Sequence, residues 1–267
     1  MEKIIVVTFV SIKGGVGKTH IAIELANCLA SAGIKVVLAD SDLNNSLSFH
    51  YLDDETMEKT KKLNLASALS DEENNLCDFV VRTKTPGVDL IASSPYLADL
   101  RTLSEKRLSR MIPTLDGKYD ILIIDCHPTY DNIVLNALHA ANYAITPVLQ
   151  DKFSYNAAAF LSEVLPRDVE NLQNWFVLLN GYNKRFEDAK SGRQSDFLNL
   201  YKDSGFPLTP KETWFPWSAQ IHQVIDYDQK LSRTEGITGA VCVPALYDAV
   251  CELALCFFDE LKIAEAF

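Results

Sequence analysis

Apolar positions along the chain follow two rhythms. Short continuous runs rich in β-branched residues read as strands buried on both faces: Lys3 to Val10, Ile34 to Ala39, Asp89 to Ala92, Ile121 to Ile124, Tyr143 to Val148 and Trp175 to Leu179. Between them apolar residues recur at helical spacing. From Thr19 to Ala32 these are Ile21, Ala22, Leu25, Ala26 and Leu29, and Gly33 closes the helix. Strands alternating with helices imply βαβ units. The expectation is an α/β fold of three layers, a mostly parallel twisted sheet with helices on both faces. The stretch from His50 to Pro86 is the most polar and least periodic, and it reads as a surface excursion between strands. No internal repeat or low-complexity linker divides the chain. The reading is therefore one domain, 1–267, with the first strand starting at Lys3 and no N-terminal helix-turn-helix.

Composition narrows this picture. Apolar residues make up 48% and charged residues 23%, as in a globular rather than a disordered protein. With 25 Lys+Arg against 36 Asp+Glu, the net charge of -11 argues against coating nucleic acid by bulk charge, although a local basic patch stays open. The apolar runs are too short to span a membrane. The first of them, soon broken by Lys13, reads as a strand and not as a signal peptide. The six cysteines form no CxxC pair and are expected to be small buried hydrophobes in a reducing, cytoplasmic compartment.

The chemistry concentrates in Ser11-Ile12-Lys13-Gly14-Gly15-Val16-Gly17-Lys18-Thr19, which follows a strand and opens a helix. Glycines let successive N–H groups point at phosphate oxygens, and the helix N-terminus adds a favourable dipole. Lys18 is placed to reach the β- and γ-phosphates, and the Thr19 hydroxyl to ligate Mg²⁺. A dinucleotide fingerprint fails here, because its third glycine would fall at His20. Two acidic strand ends agree with a phosphate-loop reading. Asp40-Ser41-Asp42 closes the second strand, and the apolar run from Ile121 to Ile124 ends in Asp125, a Walker B pattern.

The additional lysine, Lys13, makes the loop K-G-G-x-G-K-T, and with it the sequence resembles the deviant Walker A ATPases of the MinD/ParA superfamily, most closely the ParA/Soj partition proteins. Asp125-Cys126-His127-Pro128, Leu135-Asn136-Ala137-Leu138 and Ala140-Ala141 extend the likeness along most of the chain. The resemblance implies a P-loop NTPase fold, ATP/ADP with Mg²⁺ as cofactors, and slow hydrolysis of ATP to ADP and phosphate. It further implies a homodimer in the ATP state, in which Lys13 reaches the partner's nucleotide. By the same likeness Lys13, Lys18 and Asp42 are the catalytic set, with Asp42 orienting the attacking water. Lys13, Gly14, Gly15, Val16, Gly17, Lys18, Thr19 and the His20 backbone cradle the nucleotide. Thr19, Asp40 and Asp125 serve the metal, the two acids through water. Asn180 and Pro216 match positions near the adenine, and an ordinary turn role is the alternative for both.

Departures from the family pattern are equally specific. Asp42-Leu43-Asn44 lacks the proline of the usual D-x-D-P-Q, Trp217 stands where relatives often carry arginine, and His20 replaces a second threonine. His127 replaces the first proline after the Walker B aspartate. It is read as a hydrogen-bonded structural imidazole, with protonation sensing or phosphate contact as the alternative.

The resemblance implies a partition ATPase that binds DNA without sequence preference and answers to a ParB-like partner, cytoplasmic and nucleoid-associated. The DNA contact would be a local basic strip: Lys184, Arg185, Lys190 and Arg193, or Arg101, Lys106, Arg107 and Arg110. Acids interrupt both stretches, so solvated helix faces are the competing reading. A positioning ATPase for another cargo is the alternative function. A MinD-like membrane ATPase is disfavoured by the acidic tail from Cys251 to Phe267. An iron–sulfur carrier would have to use Cys126, the one cysteine near the nucleotide motifs.

Overall fold

The structure is a computed structural model that describes residues 3–100, 102–170, 172, 174–183, 193–217, 230–233 and 240–256. Its main sheet has eight strands: β1 (Ile5–Phe9), β2 (Val36–Ser41), β3 (Val81–Arg82), β4 (Val88–Ile91), β5 (Ile121–Cys126), β6 (Tyr143–Val148), β7 (Asn174–Tyr182) and β8 (Phe215–Pro216). Their spatial order is β3-β4-β2-β5-β1-β6-β7-β8. Every pairing is parallel except that of the edge strand β3 with β4. A separate parallel pair joins β9 (Lys230–Ser232) to β10 (Ala240–Cys242).

Alternation along the central strands sends side chains into two apolar layers. Val7, Phe9, Leu38, Ile121 and Ile123 meet α1 (Lys18–Ser31) and α9 (Pro244–Leu255) on one face. Val6, Val37, Ala39, Leu122 and Ile124 meet α6 (Asn132–Ala140) and the Leu161 to Leu165 stretch of α7 (Lys152–Asp168) on the other. Strands covered on both faces need no polar positions, which explains the continuous apolar runs. Each of the Val, Leu, Ile and Phe side chains contributes about 1.5–3 kcal/mol by leaving water. The remaining helices are α2 (Ser46–Tyr51), α3 (Asp54–Thr60), α4 (Leu65–Leu69), α5 (Arg107–Met111) and α8 (Arg193–Asp203). Among the described residues, no helix is long and apolar enough to cross a membrane.

The polar stretch from His50 to Pro86 is not a surface excursion throughout. Leu65, Ala68, Leu69 and Leu76 are buried in the second layer. Asn64 caps α4 by accepting from Ser67 N, and Leu65 N donates to Ala92 O at 2.8 Å, pinning the segment beside the sheet. Helices of five to seven residues carry too few turns to show a period, so the sequence pattern missed them. The cysteines also depart from expectation. Cys28 and Cys126 are buried, Cys77 and Cys251 are partly covered, and Cys256 is exposed, all five as free thiols. The Cys242 side chain lies outside the described residues.

The topology sets up a site. Strand β1 lies between β5 and β6, and parallel pairing brings the carboxyl ends of β1, β2, β5, β6 and β7 to one edge of the sheet. Open α/β sheets bind ligands at that edge.

Candidate functional site

The loop between β1 and α1 turns through two glycines in the left-handed region, Gly15 (φ 73°) and Gly17 (φ 95°). At Gly17 a Cβ would collide with Asn180 Nδ2, which donates to Val16 O at 2.8 Å. The side chain at the β6-facing strand β7 thus braces the loop from behind, while α1 opens at Lys18 directly after Gly17. Lys18 is buried, and its Nζ donates to Ser11 O at 3.4 Å across the mouth of the loop. Burial lowers the pKa of this ammonium, and the nearby Asp125, Cys126 and Asp42 partly oppose that shift. A desolvated cation inside a ring of backbone N–H groups is a receptor for phosphate.

Parallel pairing sets Asp40 beside Asp125 at the ends of β2 and β5. Both are fully buried. Asp40 is held by the chain itself: its Oδ1 accepts from Asp42 N at 3.1 Å, and its Oδ2 from Ser48 N and Ser48 Oγ at 3.0 and 2.8 Å. Burial nevertheless pushes its pKa up to about 6, against the pull of those bonds. Asp125 accepts from Thr19 Oγ1 at 2.6 Å on Oδ2, while its Oδ1 is buried and has no hydrogen-bond partner among the described residues. Burial, with the Asp40 charge adding, pushes Asp125 up to about 7 despite the Thr19 bond. A buried carboxylate with one orphaned oxygen beside a hydroxyl offers hard oxygen donors that suit Mg²⁺. The residues present therefore fit that ion. Asp42 is partly exposed at the mouth of the site. In place of the proline, its own side chain and carbonyl stiffen the turn: Asp42 Oδ1 accepts from Asn44 N at 2.9 Å, and Asp42 O accepts from Asn45 N at 3.0 Å. Asn45 takes the left-handed conformation (φ 56°) that starts α2.

Lys13 is not a solvated loop charge. Its Nζ donates to Asp151 Oδ2 at 2.7 Å and to Ser154 Oγ at 3.0 Å. Asp151 is the N-cap of α7 and accepts from Phe153 N and Ser154 N. The Asp-x-x-Ser pattern at the helix start is readable as a cap, but its pairing with a lysine 138 positions away is not. Ser48, which holds Asp40, was equally invisible to pattern.

The remaining residues separate by position. The His20 ring points into the core, 4.0 Å from Glu24 Oε1, which leaves only its backbone to the loop. Asn180 faces the loop through Val16 O, and Pro216 is half-buried on β8 beside Tyr182. Trp217 is 65% exposed. His127 is buried, with Nδ1 3.0 Å from Ser41 O and Nε2 3.0 Å from Asp131 Oδ2, so both ring nitrogens are hydrogen-bonded within the chain. Burial alone would lower its pKa, but the Asp131 bond and charge and the Ser41 carbonyl outweigh it, so the net shift is upward. Asp131 is held down at about 2 by the same contact, against its own desolvation. Cys126 lies wholly within the second apolar layer, and burial pushes its thiol up to about 12. Of the basic stretches, Arg107 donates to Leu69 O and pairs with Glu72, Arg110 pairs with Glu72 and Lys106 lies 4.0 Å from Glu170. These cations bind the chain's own acids. Arg101, Lys184, Arg185, Lys190 and the Arg193 side chain lie outside the described residues.

Comparison with known proteins agrees with the site. The model of the AAA_31 family, an AAA domain, matches residues 2–174. The sporulation initiation inhibitor protein Soj of Bacillus subtilis is 30% identical over 199 residues, covering 72% of this chain and 75% of Soj. The cell division protein PomZ of Myxococcus xanthus is 29% identical over 198 residues, covering 70% of this chain; the chain spans 60% of PomZ. Among solved structures, a Borrelia burgdorferi protein assigned to plasmid partition, bound to AMPPNP, superposes with a TM-score of 0.75 at 23% identity over 95% of this chain and 99% of that one. A Cyanothece McdA–ATP complex gives 0.71 at 16% identity over 98% of both chains. The two structures establish the three-layer fold, and the family match and the Soj alignment establish kinship. The chain belongs to the AAA_31 family and, within the MinD/ParA superfamily of P-loop ATPases, is of the ParA/Soj partition type.

Proposed function

We propose that this chain binds ATP with Mg²⁺, dimerises face to face in that state, and hydrolyses the nucleotide slowly to time the positioning of a DNA cargo. The observation that carries this reading is the joint placement of Lys13, Lys18, Thr19, Asp42 and Asp125 around one glycine loop at the carboxyl edge of the sheet. Lys18 and the loop N–H groups hold the phosphates. Thr19 and Asp125 hold Mg²⁺, whose role when bound is to draw charge from the phosphate oxygens. Asp42, at the mouth, orients the water, and Asp40 fixes the backbone of Asp42. Catalysis of this kind rests on positioning and charge neutralisation.

Dimerisation through the same edge requires Lys13, 24% exposed in its pair with Asp151, to leave that carboxylate for the second subunit. Four exposed aromatics follow β2, β4, β6 and β8 along the chain: Phe49 (64%), Tyr96 (69%), Phe153 (74%) and Trp217 (65%). Exposed apolar side chains beyond the carboxyl ends of a sheet supply area that a partner can cover. The DNA arm of the reading rests on kinship with Soj, and a ParB-like activator follows from the same kinship. A gel-shift assay on random duplex DNA at low salt tests it. Retardation is expected with ATP, absent with ADP and lost in Lys13→Ala. Retardation that is independent of nucleotide would overturn it.

A further inference from the structure

The connection between the two acidic strand ends does not stop where the sheet stops. The β2–β5 register ends at Ser41 opposite Cys126. Ser41 Oγ donates to Asp125 O at 2.8 Å, and the Ser41 carbonyl, which points past the last pair, meets His127 Nδ1 at 3.0 Å. The other ring nitrogen lies 3.0 Å from Asp131 Oδ2. Asp131 is in turn anchored as the N-cap of α6, with Oδ1 accepting from Ile133 N and Val134 N at 3.1 and 3.3 Å and Thr129 Oγ1 donating to Oδ2 at 3.2 Å. A carbonyl and an ionised carboxylate are both acceptors, so the ring donates from both nitrogens. The imidazole is 6% exposed and has no free edge to swing away.

Ser41 is the residue between Asp40 and Asp42. Its carbonyl belongs to the peptide unit whose N–H is that of Asp42, and that N–H donates to Asp40 Oδ1 at 3.1 Å. The peptide that carries Asp42 is therefore gripped at both ends, by Asp40 on the nitrogen and by His127 on the oxygen. We propose that His127 is a positioning residue for hydrolysis: it acts as an added rung beyond the end of the sheet and fixes the Ser41–Asp42 peptide, hence the Asp42 carboxylate, against the Asp131-capped start of α6. This rests on the reading of Asp42 as the residue that orients water. It also assigns a role to the loop after β5, since any displacement of residues 127–131 is passed to Asp42 through one imidazole.

The test compares His127→Ala, His127→Asn and Asp131→Asn with the wild type, measuring ATP affinity by fluorescent-nucleotide titration and turnover by phosphate release. A small displacement of a water-orienting group lowers rate strongly, by about tenfold to a hundredfold. His127→Ala is expected to lose that much kcat with ATP affinity unchanged. His127→Asn, whose amide can still donate to Ser41 O, should recover a large part of the loss. Asp131→Asn keeps the helix cap and weakens the anchor, so it should fall between the two, and it serves where His127→Ala does not fold. Wild-type kcat in His127→Ala or Asp131→Asn overturns the inference, as does an equal loss of affinity and rate, or an Asn variant no better than Ala. Asp42→Ala runs alongside. If it hydrolyses ATP at the wild-type rate, the role of Asp42 itself fails; if it is inactive while His127→Ala is not, only the positioning role fails.

Discussion

Glu24 sits nearly two turns into α1, 3% exposed, with Oε1 lacking a hydrogen-bond partner among the described residues. Burial raises its pKa from an ordinary 4.5 to about 8, so the folded protein holds a neutral acid at pH 7. His20, 4.0 Å away, is pushed down to about 4 by burial and by His50, and is also neutral. An acid whose folded pKa is raised stabilises the fold most below pH 4.5 and progressively less as pH climbs toward 8. Each pH unit in that interval removes about 1.4 kcal/mol, so the loss is about 3 kcal/mol at pH 7 and about 5 kcal/mol at pH 8. A histidine with a lowered folded pKa works oppositely, gaining stability as pH rises from about 4 to 6.5. The Glu24 and His20 contributions together are expected to be nearly flat from pH 4.5 to 6.5 and to fall from there to pH 8. Glu24→Gln keeps the shape and cannot ionise. Urea unfolding of the nucleotide-free protein should show the variant more stable by about 3 kcal/mol at pH 7, with a difference near zero at pH 4.5. A difference that does not change with pH would refute the reasoning, because it would mean that Glu24 does not carry an extra proton in the fold.

Two further substitutions probe the loop and the metal side of the site. Gly17→Ala must adopt φ 95° and push against Asn180 Nδ2, so the strain of about 1–2 kcal/mol should open the loop and weaken ATP binding at least tenfold in isothermal titration calorimetry; unchanged affinity would show that the loop geometry is not set there. Asp125→Asn removes a buried carboxylate raised to about 7 beside Asp40, so above that pH the nucleotide-free protein should gain stability, by up to about 4 kcal/mol, while the thermal shift produced by Mg²⁺ with ATP disappears. Loss of nucleotide-free stability at pH 8 would contradict it.

The fold was legible wherever burial on both faces left an unbroken apolar run, as at Ile121 to Ile124, and wherever a glycine had a geometric task, as at Gly17 and Gly33. The short edge strand β3 and helix α4 were not, because two to five residues carry no period and are held by caps and by packing on distant strands. In the site, Lys18, Thr19 and Asp125 could be read because the motif fixes their spacing along the chain. The partners of Lys13, Asp40 and His127 could not, since Asp151, Ser48 and Asp131 owe their positions to the crossover connections that the sheet imposes. The basic run at Lys106 to Arg110 was legible as charge only; Glu72, which neutralises part of it, comes from another element.

The central claim is that nucleotide joins two copies of this chain through Lys13. Size-exclusion chromatography with light scattering, run in ADP and in ATP with Mg²⁺ on the wild type and Lys13→Ala, tests it most directly. Monomer is expected in ADP, dimer in ATP, and monomer in both for Lys13→Ala even though the variant still binds ATP. A wild type that stays monomeric in ATP, or a Lys13→Ala protein that dimerises as the wild type does, would contradict it.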